Sequence, residues 1–488
     1  MFLRAVATIL TLCSASLPAL AAPSIAQYNL LEVEFTGPAD PTAIISGTFV
    51  HVESGKRLDM PAFWDGGTTW RCRFAPTATG QWTYDVADKK GDIICVEGDN
   101  PGFIHTEGRH FRYSNGKYIH IMGNTHYDLM ACSEDIIEKY IEWDRGVFNK
   151  IRFAAVTQRY HGETKAFEKG DDEDGYDFER PRPEYWQKLD RTVAKMQRAG
   201  IVTDLILAGP DITYQQLKND FYKRYVVGRY AAYTNVWWCM GNEIHAKGLY
   251  RPAEVTRAAN LIAALDPYHH PRSVHEQRKW MYGDADWPTH VIFQMKNPRV
   301  ADHRRLTLSV RELGIPVVND EPAYQGEIVN GGSIRAFWGC IMGCGYASSG
   351  QKQASKKGPY FPDKNLPPDA FSNPKSDKGW YVRKQAQILQ GFMARTEWWK
   401  MNDVADLGEN CFVRSEPGRQ WLVLVAPGKA CRLDLSSAAG RDLPIVYYDI
   451  QSLDVETAIK EAGSTNGAKA LTLTASPSEE RVYLVRGK

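Results

Sequence analysis

The sequence predicts an α/β protein: a (β/α)8 barrel flanked by two small all-β sandwich domains. Three observations point there. Between residues 106 and 400, eight apolar, β-prone runs alternate with helical patterns, a length and rhythm that suit such a barrel. On either side, 23–105 and 401–488 read as short alternating strands between Gly, Pro and Asp turns. A doubly wound open sheet, the competing arrangement, calls for a Gly-rich turn after its first strand, and "MGNTHYDL" does not supply GxGxxG.

In chain order, residues 1–22 have Arg4, an apolar run and "ALAA", the pattern of a cleaved signal peptide. The run is too short for a membrane anchor and is broken by Ser14, Ser16 and Pro18. Export to the periplasm or the extracellular space is therefore expected. "LLEVEFTG", "AIISGTFVHV", "WRCRFAPTATGQWTYDV" and "DIICVEG" are the strands of the first sandwich. The barrel follows. Strand one is in "YIHIMGNTHYDL", and the helix "SEDIIEKYIEWDRGVF" has Ser133 as N-cap. Strand two is "KIRFAAV". The next helix has Pro183 near its start and Gly200 at its stop, and "IVTDLILAGP" is strand three. "TYQQLKNDFYKRYVVGRYAAYT" is a helix and "NVWWCMGNE" is strand four. "PAEVTRAANLIAALDP" is a helix, and "PRSVHEQ" and "THVIFQMKN" are strands five and six. "RRLTLSVRELG" and "IPVVNDEPAYQG" are a helix and strand seven; "GSIRAFWGCIMG" and "CGYASSGQ" are a helix and strand eight. The helix "YVRKQAQILQGFMARTEWW" closes the set. "CFVRS", "WLVLVAPG", "ACRLDLS", "IVYYDI", "ALTLTA" and "RVYLVRG" form the second sandwich.

The composition narrows the function. A formal net charge of +1 in 488 residues gives no basic excess for nucleic acid or an acidic membrane surface. Fourteen Trp and 24 Tyr fill cores, and they also supply flat faces that suit the C–H faces of sugar rings. The eight cysteines after the signal peptide have no metal-ligand spacing. Cys72 with Cys95 and Cys411 with Cys431 are candidate disulfides within small β units, with free buried thiols as the alternative. "HEQRK" at His275 begins like a zinc-protease helix, but Lys279 stands where the second His is needed. "GDDEDGYDFERP" fails as a calcium loop because Gly170 and Pro181 occupy ligand positions, so 170–180 reads as a solvated acidic loop. No cofactor or metal is expected, and the oligomeric state stays open.

Chemistry concentrates at two strand ends. In such barrels the working groups sit at the C-terminal ends of strands. "NVWWCMGNEIH" ends strand four with Asn242 and Glu243, and "IPVVNDEPAYQG" ends strand seven with Glu321. Two carboxyls facing each other across a barrel mouth suit hydrolysis of a glycosidic bond. One protonates the leaving oxygen while the other attacks or stabilises the anomeric carbon.

An Asn-Glu pair ending strand four with a Glu ending strand seven resembles the large clan of retaining barrel glycosidases. More narrowly, "YVVGRYAAYTNVWWCMGNE" and "GIPVVNDEPAYQG" resemble the apiosidase-like glycosidases, which share the flanking β modules. "FWDGGTTWRCRFAPTATGQWTYDV" resembles the N-terminal β domain of secreted bacterial glycosidases. The resemblance implies a carbohydrate substrate, with Glu243 as acid/base, Glu321 as nucleophile and Asn242 on the sugar hydroxyl next to the anomeric carbon. It implies that Arg152 keeps the nucleophile ionised, and that His126, His275 and Tyr324 line the sugar site. Two departures affect subsite shape. The clan's strand-six Tyr is missing from "FQMKN", where Gln294 or Lys296 stands near, and the strand-eight Trp is missing from "GYASSGQ", whose aromatic residue is Tyr346. The rival reading is an inactive barrel that binds carbohydrate, but a binder gains nothing from keeping a proton donor.

Overall fold

The computed structural model describes residues 22–127, 129–156, 165–170, 175–208, 216–245, 248–277, 279–322, 332–350, 378–406 and 411–487. Its centre is a closed barrel of eight parallel strands. We number them β1 (Met122–Thr125), β2 (Lys150–Ala154), β3 (Val202–Ile206), β4 (Val236–Asn242), β5 (Arg272–Glu276), β6 (Val291–Phe293), β7 (Val317–Asn319) and β8 (Tyr346–Gly350). β8 pairs with β1, Met122 opposite Ala347, and closes the ring.

The helices are α1 (Glu134–Asp144), α2 (Pro183–Arg198), α3 (Asp220–Tyr230), α4 (Pro252–Leu265), α5 (Val300–Leu308), α6 (Gly332–Met342) and α7 (Lys378–Met393). Their ends follow local chemistry. Ser133 is the N-cap of α1, although its hydroxyl bonds Asp135 rather than the backbone. Pro183 opens α2, where its missing N–H costs nothing, and Gly200 just past the helix adopts φ +71°. Asn219 caps α3 by accepting from the Tyr222 amide at 2.8 Å. The described residues between β5 and β6 form no helix.

A five-stranded and a three-stranded sheet precede the barrel, their facing sides joined by the stacked rings of Phe49 and Phe74 at 4.1 Å. This unit is fixed to α2 and α3 by buried charge. Arg73 bonds Asp190 at 2.7 Å and the Arg229 carbonyl at 2.7 Å, and Arg229 reaches Asp190 at 2.6 Å and Asp65 at 3.0 Å. Both guanidinium groups lie over the Phe63 ring, at 4.7 and 4.4 Å from its centroid.

A second small sheet (104–107, 110–113, 118–119) sits under the barrel. Its Phe111 plugs the N-terminal end, against Trp237 at 4.5 Å and Tyr346 at 5.3 Å. After α7 come a six-stranded sheet and a two-stranded ribbon. Trp338 of α6 bonds Tyr448 at 2.8 Å, and Arg335 pairs with Glu480 across that junction.

The apolar interior follows these junctions. One continuous cluster runs from the first sandwich through α1–α4 and the outer sides of β2–β5. Another joins the small sheet, β1, β7, β8, α5–α7 and the last β domain.

Of the two candidate pairs, Cys411 and Cys431 form a disulfide, whereas Cys72 and Cys95 are free thiols. Cys72 points into the sandwich core and contacts the Met60 carbonyl, while Cys95 lies on a strand of the other sheet. Residues 1–21, nearly all of the expected signal peptide, and 171–174 of the acidic loop lie outside the described residues. Among the described residues, no helix is long and apolar enough to cross a membrane.

Candidate active site

The strand ends bring most of the predicted groups together. Glu243 follows β4 directly, in a left-handed turn with φ +52°. A non-glycine residue there costs on the order of 1 kcal/mol or more, so the surroundings must hold it. They do: the Asn242 amide bonds the Ala208 carbonyl at 2.9 Å, and the Glu243 amide bonds the His275 carbonyl at 3.0 Å. Gly241 lets the turn fold back, because a Cβ there would fall 2.7 Å from the Ile244 side chain. The β4–β5 register slips between Cys239 and Asn242, which sets Asn242 opposite His275.

Asn242 is the hub. Its carbonyl accepts from Arg152 and from Nδ1 of His275, and the Tyr127 hydroxyl lies at 3.4 Å. Burial and the Arg152 charge push His275 down to about 3, so its ring is neutral and Nδ1–H is the donor to Asn242. With the oxygen saturated, the Asn242 NH2 remains, and no described residue accepts from it. That is the geometry of an amide fixed by the protein on one side and offered to a ligand on the other.

Glu321 is held from both sides. The Tyr127 hydroxyl donates to Oε2 at 2.7 Å, and Lys296 Nζ lies 3.0 Å from Oε1. Burial and the charge of Glu321 keep the Tyr127 phenol well above its ordinary range, so it acts as a donor. Arg152 does not reach Glu321 in the direct way expected. Its guanidinium bonds Tyr127 at 3.2 Å and Asn242, so its influence passes through those two side chains.

Beneath this layer Lys150 is buried between Asp204 at 2.8 Å and Asp320 at 2.6 Å, and Ser348 donates to Asp320. Burial alone would neutralise Lys150, but the two carboxylates outweigh it and keep it charged. This ion set braces the backbone immediately before Glu321.

His126 is placed elsewhere. Its Nε2 bonds Asp144 at 2.7 Å, and the same carboxylate takes Arg383 at 2.7 Å and Asn124. The ring is buried against Tyr140 of α1, so the expectation that it lines the sugar site is corrected. Its direction follows from the acidic partner on α1, which residue type alone did not reveal. Tyr346 lies at the opposite, plugged end of the barrel, bonded to His110 at 3.0 Å. Tyr324 lies outside the described residues.

Three groups went unassigned in the sequence. Tyr127 follows His126 in "NTHYDL"; an exposed-looking aromatic at a strand end was the available signal. Lys296 was named only as one candidate to fill a gap. Glu276, inside the rejected "HEQRK", is a third carboxyl at the rim, 3% exposed and pushed by burial up to about 8. It lies 3.3 Å from Nε2 of His245, which burial pushes down. This close approach is therefore a contact between neutral groups rather than an ion pair. His245 Nδ1 bonds the Tyr250 carbonyl at 2.8 Å, and its Nε2 meets the Tyr282 hydroxyl. Among the described residues, no cluster of three or more His, Cys, Asp or Glu could hold a metal ion.

Residues 105–338 match the family model "Apiosidase-like, catalytic domain", and 24–89 match a domain of unknown function, DUF5060. No curated protein matches the sequence. A crystal structure from Bacteroides vulgatus ATCC 8482, provisionally described as a glycoside hydrolase, is 20% identical with TM-score 0.76, over 96% of this chain and 100% of its own. Another, described as a glycoside hydrolase, gives 17% and 0.64 over 80% and 97%. A glycoside hydrolase family 5 structure from the same Bacteroides strain gives 17% and 0.63 over 79% and 94%. At these identities the likeness is one of fold.

Proposed function

We propose, from the match of residues 105–338 to the apiosidase-like catalytic domain model, that this protein is a glycoside hydrolase cleaving O-glycosidic bonds of a poly- or oligosaccharide with retention of anomeric configuration. The observation that carries the reading is the clamp on Glu321. A buried carboxylate held by a phenol on one oxygen and an ammonium on the other is poised as a charged nucleophile. It stands beside an Asn whose amide is offered to a ligand and a Glu fixed on a constrained turn.

In the first step Glu243 protonates the glycosidic oxygen while Glu321 attacks the anomeric carbon, and the sugar–oxygen bond breaks. In the second, Glu243 takes a proton from water, which attacks the same carbon and releases Glu321. Asn242 donates to the neighbouring sugar hydroxyl, a contact that strengthens as positive charge develops. Lys296 stands near where the strand-six Tyr of the clan would be, and Tyr127 supplies the phenol from the β1 end. Export, with the first 22 residues removed, belongs to the same reading.

The test is turnover of a polysaccharide and chromogenic-glycoside panel by wild type and Glu243→Gln, with proton NMR of the first-formed anomer. Retained configuration and loss of turnover in Glu243→Gln are expected. Equal binding without turnover in both proteins would favour the inactive binding barrel. An inverted first product would remove Glu321 from the nucleophile role.

A further inference from the structure

Two residues past Glu243, the chain buries His245, whose side chain is 8% exposed. Its Nδ1 lies 2.8 Å from the Tyr250 carbonyl, which can only accept, so Nδ1 carries a proton and donates. Burial pushes the ring's pKa down, which keeps it neutral and leaves a lone pair on Nε2. Nε2 meets the Tyr282 hydroxyl, and burial holds that phenol well above its ordinary range, so Tyr282 is the donor there. The ring is therefore gripped at both nitrogens in a single tautomer. The Glu276 carboxyl closes a third side, 3.3 Å from Nε2.

The gripping groups are themselves fixed. Tyr282 packs edge-on against Trp287, with 5.1 Å between ring centres, and Trp287 Nε1 bonds the Thr256 hydroxyl of α4 at 3.2 Å. Tyr250 stands two residues before α4, and its hydroxyl takes the Leu217 amide at 3.3 Å. Glu276 ends β5, the strand whose His275 carbonyl holds the Glu243 amide. Beyond the turn the chain folds back on itself, with the Leu249 amide on the Ile244 carbonyl at 2.9 Å and the Gly248 amide on the His245 carbonyl at 3.0 Å. The segment that bears Glu243 is thus tied to β5 before its side chain and to α4 and β5 after it.

We infer that His245 is a positioning residue for Glu243: its imidazole, clamped between the Tyr250 carbonyl and the Tyr282 hydroxyl, holds the left-handed turn that aims the acid/base at the leaving group. The conformation is an unfavourable one for a glutamate, so it lasts only while the chain on both sides is restrained. The Glu243 amide supplies one restraint and the His245 ring the other. General acid catalysis depends on the result, because a proton passes only within hydrogen-bond reach and a misplacement of about 1 Å can cost about 100-fold. His245 touches no reacting atom in this role and acts through the direction of Glu243. What the turn does rests on the glycosidase reading; that His245 holds it does not.

The test uses the full chain with His245→Ala and, separately, Tyr282→Phe, which removes one hydroxyl, keeps the ring and guards against a failure of the first variant to fold. Rates are measured on matched phenyl and 2,4-dinitrophenyl β-glycosides of glucose, mannose, xylose and galactose. Phenolate is a poor leaving group and needs the proton from Glu243, whereas dinitrophenolate departs without it. On the phenyl glycoside kcat/KM should fall roughly tenfold or more in His245→Ala and by a smaller factor in Tyr282→Phe, while on the dinitrophenyl glycoside it stays within about twofold of wild type. On the dinitrophenyl glycoside kcat and KM should fall together, because the second step needs Glu243 as base, and azide should restore kcat. His245→Asn, whose amide N–H can take the place of Nδ1–H, should recover part of the lost rate. Equal loss on both leaving groups, or no loss on either, would overturn the inference. A crystal structure of His245→Ala checks the anchor without substrate: Glu243 should leave its φ of +52°. An unmoved Glu243 would overturn the inference in an active glycosidase. A displaced Glu243 in a chain whose wild type hydrolyses no glycoside would sink the catalytic reading and leave the anchor standing.

Discussion

Replacing Glu276 by Gln should largely uncouple stability from pH across the interval in which that carboxyl titrates. In an unfolded chain it titrates near 4.5; in the fold, burial raises it to about 8. Below 4.5 both states hold the proton and the group contributes nothing. Between 4.5 and about 8 the folded chain keeps a proton that the unfolded chain releases. Stability therefore falls as pH rises, by about 1.4 kcal/mol per pH unit. Above about 8 the full penalty is present, on the order of 5 kcal/mol over the interval. The groups facing Glu276 deepen the problem, because neutral His245 and the Tyr282 phenol offer a buried carboxylate no positive charge. The E276Q protein keeps the shape and cannot ionise. Thermal denaturation of both proteins, followed by tryptophan fluorescence from pH 5 to 9, isolates this one group because other titrations are common to the pair. The E276Q protein should match wild type near pH 5 and exceed it by roughly 10 °C at pH 8.5, taking about 2 °C per kcal/mol for a domain of this size. A difference that stays constant across pH, or that opens in favour of wild type, would refute the reasoning.

Tyr127→Phe removes the phenol from Glu321 and should lower kcat/KM by roughly 10- to 100-fold, the worth of one hydrogen bond to a charged group, as initial rates on an aryl glycoside would report. Asn242→Ala should lower kcat far more than it raises KM, and a change in KM alone would contradict a contact that tightens in the transition state. Asp190→Ala leaves Arg73 and Arg229 buried without their shared carboxylate and should cost about 3–5 kcal/mol, measured by urea denaturation. Deleting 401–488 should reduce soluble yield, since the apolar face of α6 packs on that segment.

The barrel was legible in sequence because its signals are local. Alternating runs, Ser133, Pro183 and Gly200 each report on a few neighbouring residues, whereas the Asn219 cap, inside the stretch read as helix, was not recognised. The strand ends bearing Asn242 and Glu243, and Glu321, were legible for the same reason. What stayed hidden depends on pairings between distant residues. The direction of His126 is set by Asp144 and Arg383, residues 18 and 257 positions further along the chain. Nothing near residue 127 in the sequence says that its hydroxyl will meet residue 321. Arg152 was expected to act on Glu321 directly, yet its partners are Tyr127 and Asn242, and it is the Tyr127 phenol that meets Glu321. The Cys72–Cys95 pairing does not form: the Cys72 thiol faces the Met60 carbonyl, a contact invisible to spacing alone, and both thiols are free.

The way the apolar interior is divided bears on how this architecture can be rearranged. Most of the barrel's hydrophobic envelope is shared: one arc of its helices is continuous with the leading sandwich and the other with the trailing β domain, while a small cluster at β6, β7 and α5 is its own. The start of the family-model match at residue 105 therefore does not coincide with a seam in the packing. Exchanging the leading module between relatives would be an exercise in matching two halves of one interior, with Arg73, Asp190 and Arg229 as the keyed faces. A graft that moved only the sandwich, without the α2–α3 surface it was shaped against, would take Arg73 away from Asp190 and leave it Glu32 alone as a carboxylate partner. Transplants of this module should succeed in proportion to how much of that helical surface travels with it.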